Sequence, residues 1–182
     1  MTLDRTATMR HDVAMQRILV GVDGSAESLK AVTWTADLAR SLGAEVIVAS
    51  VYGFYPVMAM PSDGVFMSEE WLDGWRTDLQ RDLEGEWTKP LRDAGVPVVT
   101  RVEQGLASEV LLRLARENGV YLIVVGSRGF GAVREAILGS VSHVLALHAP
   151  CPVVVLPHHH GAAHAALPVP QTASSDPGPR HG

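Results

Sequence analysis

One stretch of the chain, Gly126 to Ser140, carries the residue types an anion site needs. It reads Gly-Ser-Arg-Gly-Phe-Gly-Ala-Val-Arg-Glu-Ala-Ile-Leu-Gly-Ser. The apolar run Val120–Val125 before it reads as a buried strand, and Val141–His148 after it reads as a helix. Glycines at a strand end let the backbone approach a ligand, and the free N–H groups of a helix start face it. The expectation is a phosphate site, for a nucleotide. Taken alone, Gly126 and Gly129 are equally a plain tight turn. Gly139 and Ser140 shift that balance, because Ser140 can cap the helix through its hydroxyl or give the hydroxyl to a phosphate. Arg128, inside the loop, either pairs with a phosphate or is solvated. His143, in the first turn of the helix, reads as a surface residue rather than a catalyst.

Asp23 is the second chemical candidate. It ends the apolar run Arg17–Val22 in the turn Asp23-Gly24-Ser25. It is either a turn residue, an acceptor for ribose hydroxyls, or a ligand of Mg²⁺. A carboxylate directly beside phosphates repels them, so Asp23 must reach the sugar or act through a cation.

Motifs of catalysis are mostly missing. No Gly-x4-Gly-Lys-Ser/Thr loop is present, and no Gly-x-Gly-x2-Gly follows the first strand. Gly126-Ser127-Arg128-Gly129 lacks the residue between glycine and serine that a nucleophile elbow needs. Hydrolysis or autophosphorylation, if present, is expected to be slow. His158, His159, His160 and His164 are metal-ligating types, but nothing nearby fixes their geometry, and they read as incidental.

These residues need elements to position them. Arg17–Val22 and Glu45–Tyr52 read as strands, with a helix between that Ser25 caps and Gly43 stops. Gly53–Asp63 reads as a surface loop. Trp71, Trp75, Leu79, Leu83, Trp87 and Leu91 recur every four residues and predict one long helix over Ser68–Ala94. Its tryptophans read as core rather than as a base-stacking set. Gly74 and Gly85 weaken this helix, and Pro90 should kink or shorten its last turn. Val96–Glu103 is the third strand, with Pro97 marking a sheet edge. Val110, Leu111, Leu114 and Ala115 mark a helix that stops at Asn118-Gly119, and Val153–Leu156 is a last short strand. Strand and helix alternate throughout, which predicts an α/β fold: an open parallel sheet with helices on both faces. Ligands of such sheets bind beyond the carboxyl ends of the strands, where strand order switches.

The spacing Gly-x2-Gly-x9-Gly-Ser, carried by Gly126, Gly129, Gly139 and Ser140, resembles the ATP-binding motif of the universal stress protein family, in its ATP-binding branch. The resemblance runs from about Arg17 to Leu156, the length of one domain. It implies five strands in the order 3-2-1-4-5, which sets strands one and four side by side at the switch point. It implies ATP, with or without Mg²⁺, as the ligand of Asp23, Val51, Gly126, Arg128, Gly129, Gly139, Ser140 and Val141. Val51 would contact adenine; as sequence it is equally a sheet residue under a loop. The resemblance also implies a homodimer through Val153–Leu156. The function so implied is regulatory, with the nucleotide as a conformational signal. The alternatives are a slow ATPase or autophosphorylating enzyme at the same site, and an interaction module whose glycines only shape turns.

Composition bounds the rest. The 182 residues suffice for one well-cored domain, expected over 17–157, plus tails. Residues 1–16 read as a flexible leader, and the His/Pro-rich stretch 158–182 as a disordered tail. Net charge is −5 with lysine only at Lys30 and Lys89, so no basic stripe points to nucleic acid. No apolar run has the length to span a bilayer, and residues 1–16 lack the apolar core of a signal peptide. Cys151 is the sole cysteine, which excludes an internal disulfide and fits a reducing cytoplasm.

Overall fold

The computed structural model describes residues 16–53, 69–129 and 138–157. The expectations for the leader up to residue 15, for residues 54–63 of the loop and for the tail 158–182 lie outside them. Gln16 is described, and its carbonyl accepts the Glu45 N–H at 2.9 Å, so it is anchored to the sheet rather than part of a loose leader.

Strands β1 (Arg17–Val22), β2 (Glu45–Tyr52), β3 (Val98–Gln104), β4 (Leu122–Gly126) and β5 (Val153–Leu156) form one sheet in the order β3-β2-β1-β4-β5. Every neighbouring pair is parallel. Such strands are covered on both faces, and the central runs are apolar throughout for that reason. Ile18, Val20 and Val22 pack under helices α1 (Ala26–Leu42) and α3 (Lys89–Asp93) on one face. Leu19, Ile47 and Ile123 pack under α4 (Ala107–Glu117) and α5 (Ser140–His148) on the other. The edges fall to β3 and β5.

Local chemistry sets the boundaries of α1. The Ser25 hydroxyl accepts the Ser28 N–H at 3.3 Å as an N-cap, and Gly43 closes the helix at φ 64°. Strand limits shift slightly from the sequence reading. β3 begins at Val98, not Val96; Pro97 lies just outside it and gives only its carbonyl, to the Val46 N–H. β4 begins at Leu122, since Val120 bonds back to the end of α4.

The predicted long helix over Ser68–Ala94 is not continuous. It divides into α2 (Glu69–Asp82), a π-helical turn (Leu83–Trp87) and α3. The break falls at Gly85, whose φ and ψ of −89° and −113° are not helical. Other partners replace the lost helical bonds. The Thr88 hydroxyl donates to the Leu83 carbonyl at 2.7 Å, and the Arg92 guanidinium reaches the carbonyls of Glu84 and Gly85. Pro90 therefore sits in the first turn of α3, where no helical donor is needed, instead of kinking a last turn. The core reading of the ladder holds for its second half, where Leu83 and Leu91 are fully buried and Trp87 packs on the core, and not for Trp75 and Leu79, which are half-buried and outside the core.

Candidate functional site

The carboxyl ends of β1 and β4, side by side at the point where strand order reverses, open into a cleft of about 380 Å³. That size suits a small organic ligand. Its floor exists because two mid-strand residues are small. Gly21 of β1 and Ala49 of β2 face each other in register, and Leu111 of α4 presses to within 2.9 Å of where a Cβ at Gly21 would stand. Val51, Ala107, Leu111 and Val125 make the rest of an apolar wall.

The opposite wall is polar and is built from the end of β4 and the start of α5. The Ser127 carbonyl accepts both the Gly139 N–H at 2.7 Å and the Ser142 hydroxyl at 3.1 Å. The two ends of the glycine stretch are thereby tied together, and the first turn of α5 is fixed at the cleft. Gly139 is the N-cap residue and has no side chain to cap with, so Ser140 is the first helical residue. The capping role considered for Ser140 is thus excluded, and Ser140 lines the cleft with Val141. The first N–H groups of a helix have no carbonyl within it to bond and carry its positive end.

Each glycine of the motif has a separate steric reason. A Cβ at Gly126 would stand 2.9 Å from the backbone carbon of Glu27, so β4 meets the start of α1 without a side chain between them. A side chain at Gly129 would run into the Asp23 carboxylate. A Cβ at Gly139 would lie 3.3 Å from the Ser127 carbonyl oxygen. Asp23 is held by both its side chain and its backbone. Its Oδ1 accepts the Ser25 N–H at 3.0 Å, and its N–H donates to the Ser28 hydroxyl at 3.3 Å. Asp23 and Arg128 are the charged side chains among the described residues that line the cleft. Ser127 Oγ, also at the cleft, is buried and has no hydrogen-bond partner among the described residues.

All eight residues singled out from the sequence, Asp23, Val51, Gly126, Arg128, Gly129, Gly139, Ser140 and Val141, line this one cleft. His143 is exposed in α5 and is not among them. Sequence reading missed Gly21, Ala49, Ala107 and Leu111. A glycine and an alanine inside apolar strands were the available signal, since small residues there leave space. Among the described residues no group of three His, Cys, Asp or Glu side chains could hold a metal, and no helix is long and apolar enough to cross a membrane. The histidines 158–160 and 164 lie outside them.

Fold and cleft together define a doubly wound α/β protein whose candidate site combines, among the described residues, an apolar wall, a helix N-terminus and one carboxylate. Residues 15–157 match the sequence profile of the Universal stress protein family, and the chain belongs to that family. The universal stress protein YxiE of Bacillus subtilis is 34% identical over 145 residues, covering 77% of this chain and 97% of that protein. The structure of universal stress protein UspA from Lactobacillus plantarum superposes with a TM-score of 0.65 at 21% identity, over 78% of this chain and 97% of that one. A universal stress protein solved in complex with cAMP gives a TM-score of 0.60 at 25% identity, over 79% and 97%. Solved members with AMP and with dAMP bound share the fold as well.

Proposed function

We propose that the cleft binds an adenine nucleotide, ATP with or without Mg²⁺ being the form the motif favours, and that the nucleotide acts as a conformational signal in the cytoplasm. One observation carries this reading. The apolar wall, the Asp23 carboxylate and the first turn of α5 converge on a single cleft of suitable size. The wall of Val51, Ala49 and Ala107 suits a base. The Asp23 carboxylate suits sugar hydroxyls, or a cation beside the phosphates. The backbone of Gly129, Gly139, Ser140 and Val141, with Arg128, suits phosphate oxygens. The orphaned Ser127 hydroxyl is a further polar position that a ligand oxygen would satisfy.

Binding rather than turnover is favoured. Among the described lining residues Asp23 is the sole carboxylate, and the Ser25 N–H already engages it. Phosphoryl transfer needs a free base or positioned metal as well as a cradle. A dimer through β5 is part of the same reading, because β5 is an edge strand with an unpaired side.

The test begins with the purified protein, denatured so that any retained nucleotide is released and identified by chromatography. Calorimetric titration with ATP, AMP and cAMP follows, with and without Mg²⁺. Affinity in the micromolar range is expected, which corresponds to about 8 kcal/mol. Gly129→Ala should weaken it at least about tenfold, by displacing Asp23. A wild-type protein that binds no adenine nucleotide would reduce the glycines to turn formers.

A further inference from the structure

The Asp23-Gly24 turn is covered from behind, and the covering residue comes from an unusual element. Gly24 has a φ of 83°, a conformation that glycine takes without strain. The six-membered ring of Trp87 stands where any other residue at 24 would place its Cβ, with Cζ2 2.6 Å and Cη2 3.1 Å from that point. Trp87 is the last residue of the π-helical turn and packs with the core on the α1 and α3 side of the sheet. The apolar wall of the cleft belongs to the other side. A line of contacts therefore crosses the sheet end: Trp87 on Gly24, Asp23 next in the chain, and the Asp23 carboxylate against Gly129.

The break at Gly85, whose φ and ψ of −89° and −113° are not helical, sets the course of the chain into Trp87. The turn is held open by specific bonds, from the Thr88 hydroxyl to Leu83 and from Arg92 to Glu84 and Gly85.

We propose that Trp87 is a positioning residue for Asp23: pressed on Gly24 from the far side of the sheet, it fixes the turn that aims the Asp23 carboxylate into the nucleotide cleft. The inference rests on the nucleotide reading given above and extends it to an element with no place in the cleft lining. Trp87 does not touch the ligand. It acts through the turn, so its effect on binding requires Asp23.

A double-mutant cycle separates this role from plain core packing. AMP and ATP affinities are measured by calorimetry for the wild type, Trp87→Leu, Asp23→Ala and the double variant, with a thermal melt of each. Leucine keeps the apolar burial and removes the ring. Trp87→Leu should weaken binding about tenfold where Asp23 is present and less than about twofold where it is absent. It should also narrow any preference for AMP over dAMP. Should the leucine variant fail to fold, Trp87→Phe, whose ring is smaller, takes its place in the same cycle. Equal losses in both backgrounds, or no loss in either, overturn the role. Absence of any adenine nucleotide binding in the wild type overturns the nucleotide reading itself, and this proposal with it.

Discussion

Gly126 and Gly129 belong to one motif, yet they answer to different constraints. Gly126 is crowded by backbone: Glu27 C at 2.9 Å and Ser28 N at 3.0 Å from a hypothetical Cβ. Backbone cannot step aside, so Gly126→Ala should destabilise the fold by about 1–3 kcal/mol, visible as a lowered melting temperature. Among the described residues, the atoms nearest a Cβ at Gly129 all belong to the Asp23 carboxylate. Gly129→Ala should melt near the wild-type temperature while losing nucleotide affinity, and a shared large drop in stability would contradict the distinction. Cys151 offers a test of a different kind. Partial burial raises its pKa, against a smaller lowering by a backbone hydrogen bond from Ile123. The thiolate is the reactive form, so iodoacetamide should modify folded Cys151 more slowly at neutral pH than it modifies the unfolded chain, the rate rising as the pH becomes alkaline. The sign for stability follows. Folding favours the neutral thiol, so this contribution is whole below the ordinary thiol pKa and is lost as the pH rises through the raised one. Equal rates in folded and unfolded protein at neutral pH would refute it.

At the scale of elements, the junction of α2 and α3 rests on Arg92. It reaches two carbonyls and the Thr88 hydroxyl, replacing bonds that the π turn leaves open. Arg92→Ala should cost about 1 kcal/mol, because water takes over at the exposed Glu84 and Gly85 carbonyls and the buried Thr88 hydroxyl keeps its bond to Leu83. Its mark should be local: faster amide exchange over residues 83–93 with the central strands unchanged. This junction is also where sequence reading stopped short. The ladder from Trp71 to Leu91 keeps its spacing across the break, so periodicity has no way to show it. Gly85 reads only as a weak point. What decides the geometry is a threonine hydroxyl and an arginine folding back on carbonyls, and neither has a local signature. The sheet was more legible, because β1, β4 and β5 are nearly continuous apolar runs closed by a turn residue. The polar wall of the cleft was legible for a related reason: glycines and a serine sit at strand and helix ends. The apolar wall was harder to read, since a glycine at 21 and an alanine at 49 hint at space, but only register sets them together and against Leu111.

At the scale of the whole molecule, β5 is the exposed question. Among the described residues Val153–Leu156 pairs with β4 on one side only, and all of its residues stay partly exposed. The dimer proposed above would cover that edge. Light scattering should then give twice the 19.5 kDa of one chain, and Val155→Lys should return it to a monomer, since an edge lysine opposes pairing. A wild-type monomer at working concentration would remove the dimer from the reading.

The middle place of β1 has a bearing on how the chain is made. Its partner on one side, β2, follows closely, but Ile18 meets Leu122 of β4 only after about a hundred further residues have left the ribosome. At ordinary translation speeds the open side of the central strand waits about 5 to 20 seconds for its neighbour. During that wait the central strand of the sheet, apolar from Ile18 to Val22, is an edge, able to pair with another nascent chain. A growing polypeptide of this protein is thus most in need of a chaperone after its first half has emerged, and a truncation ending before β4 would leave that hazard permanent.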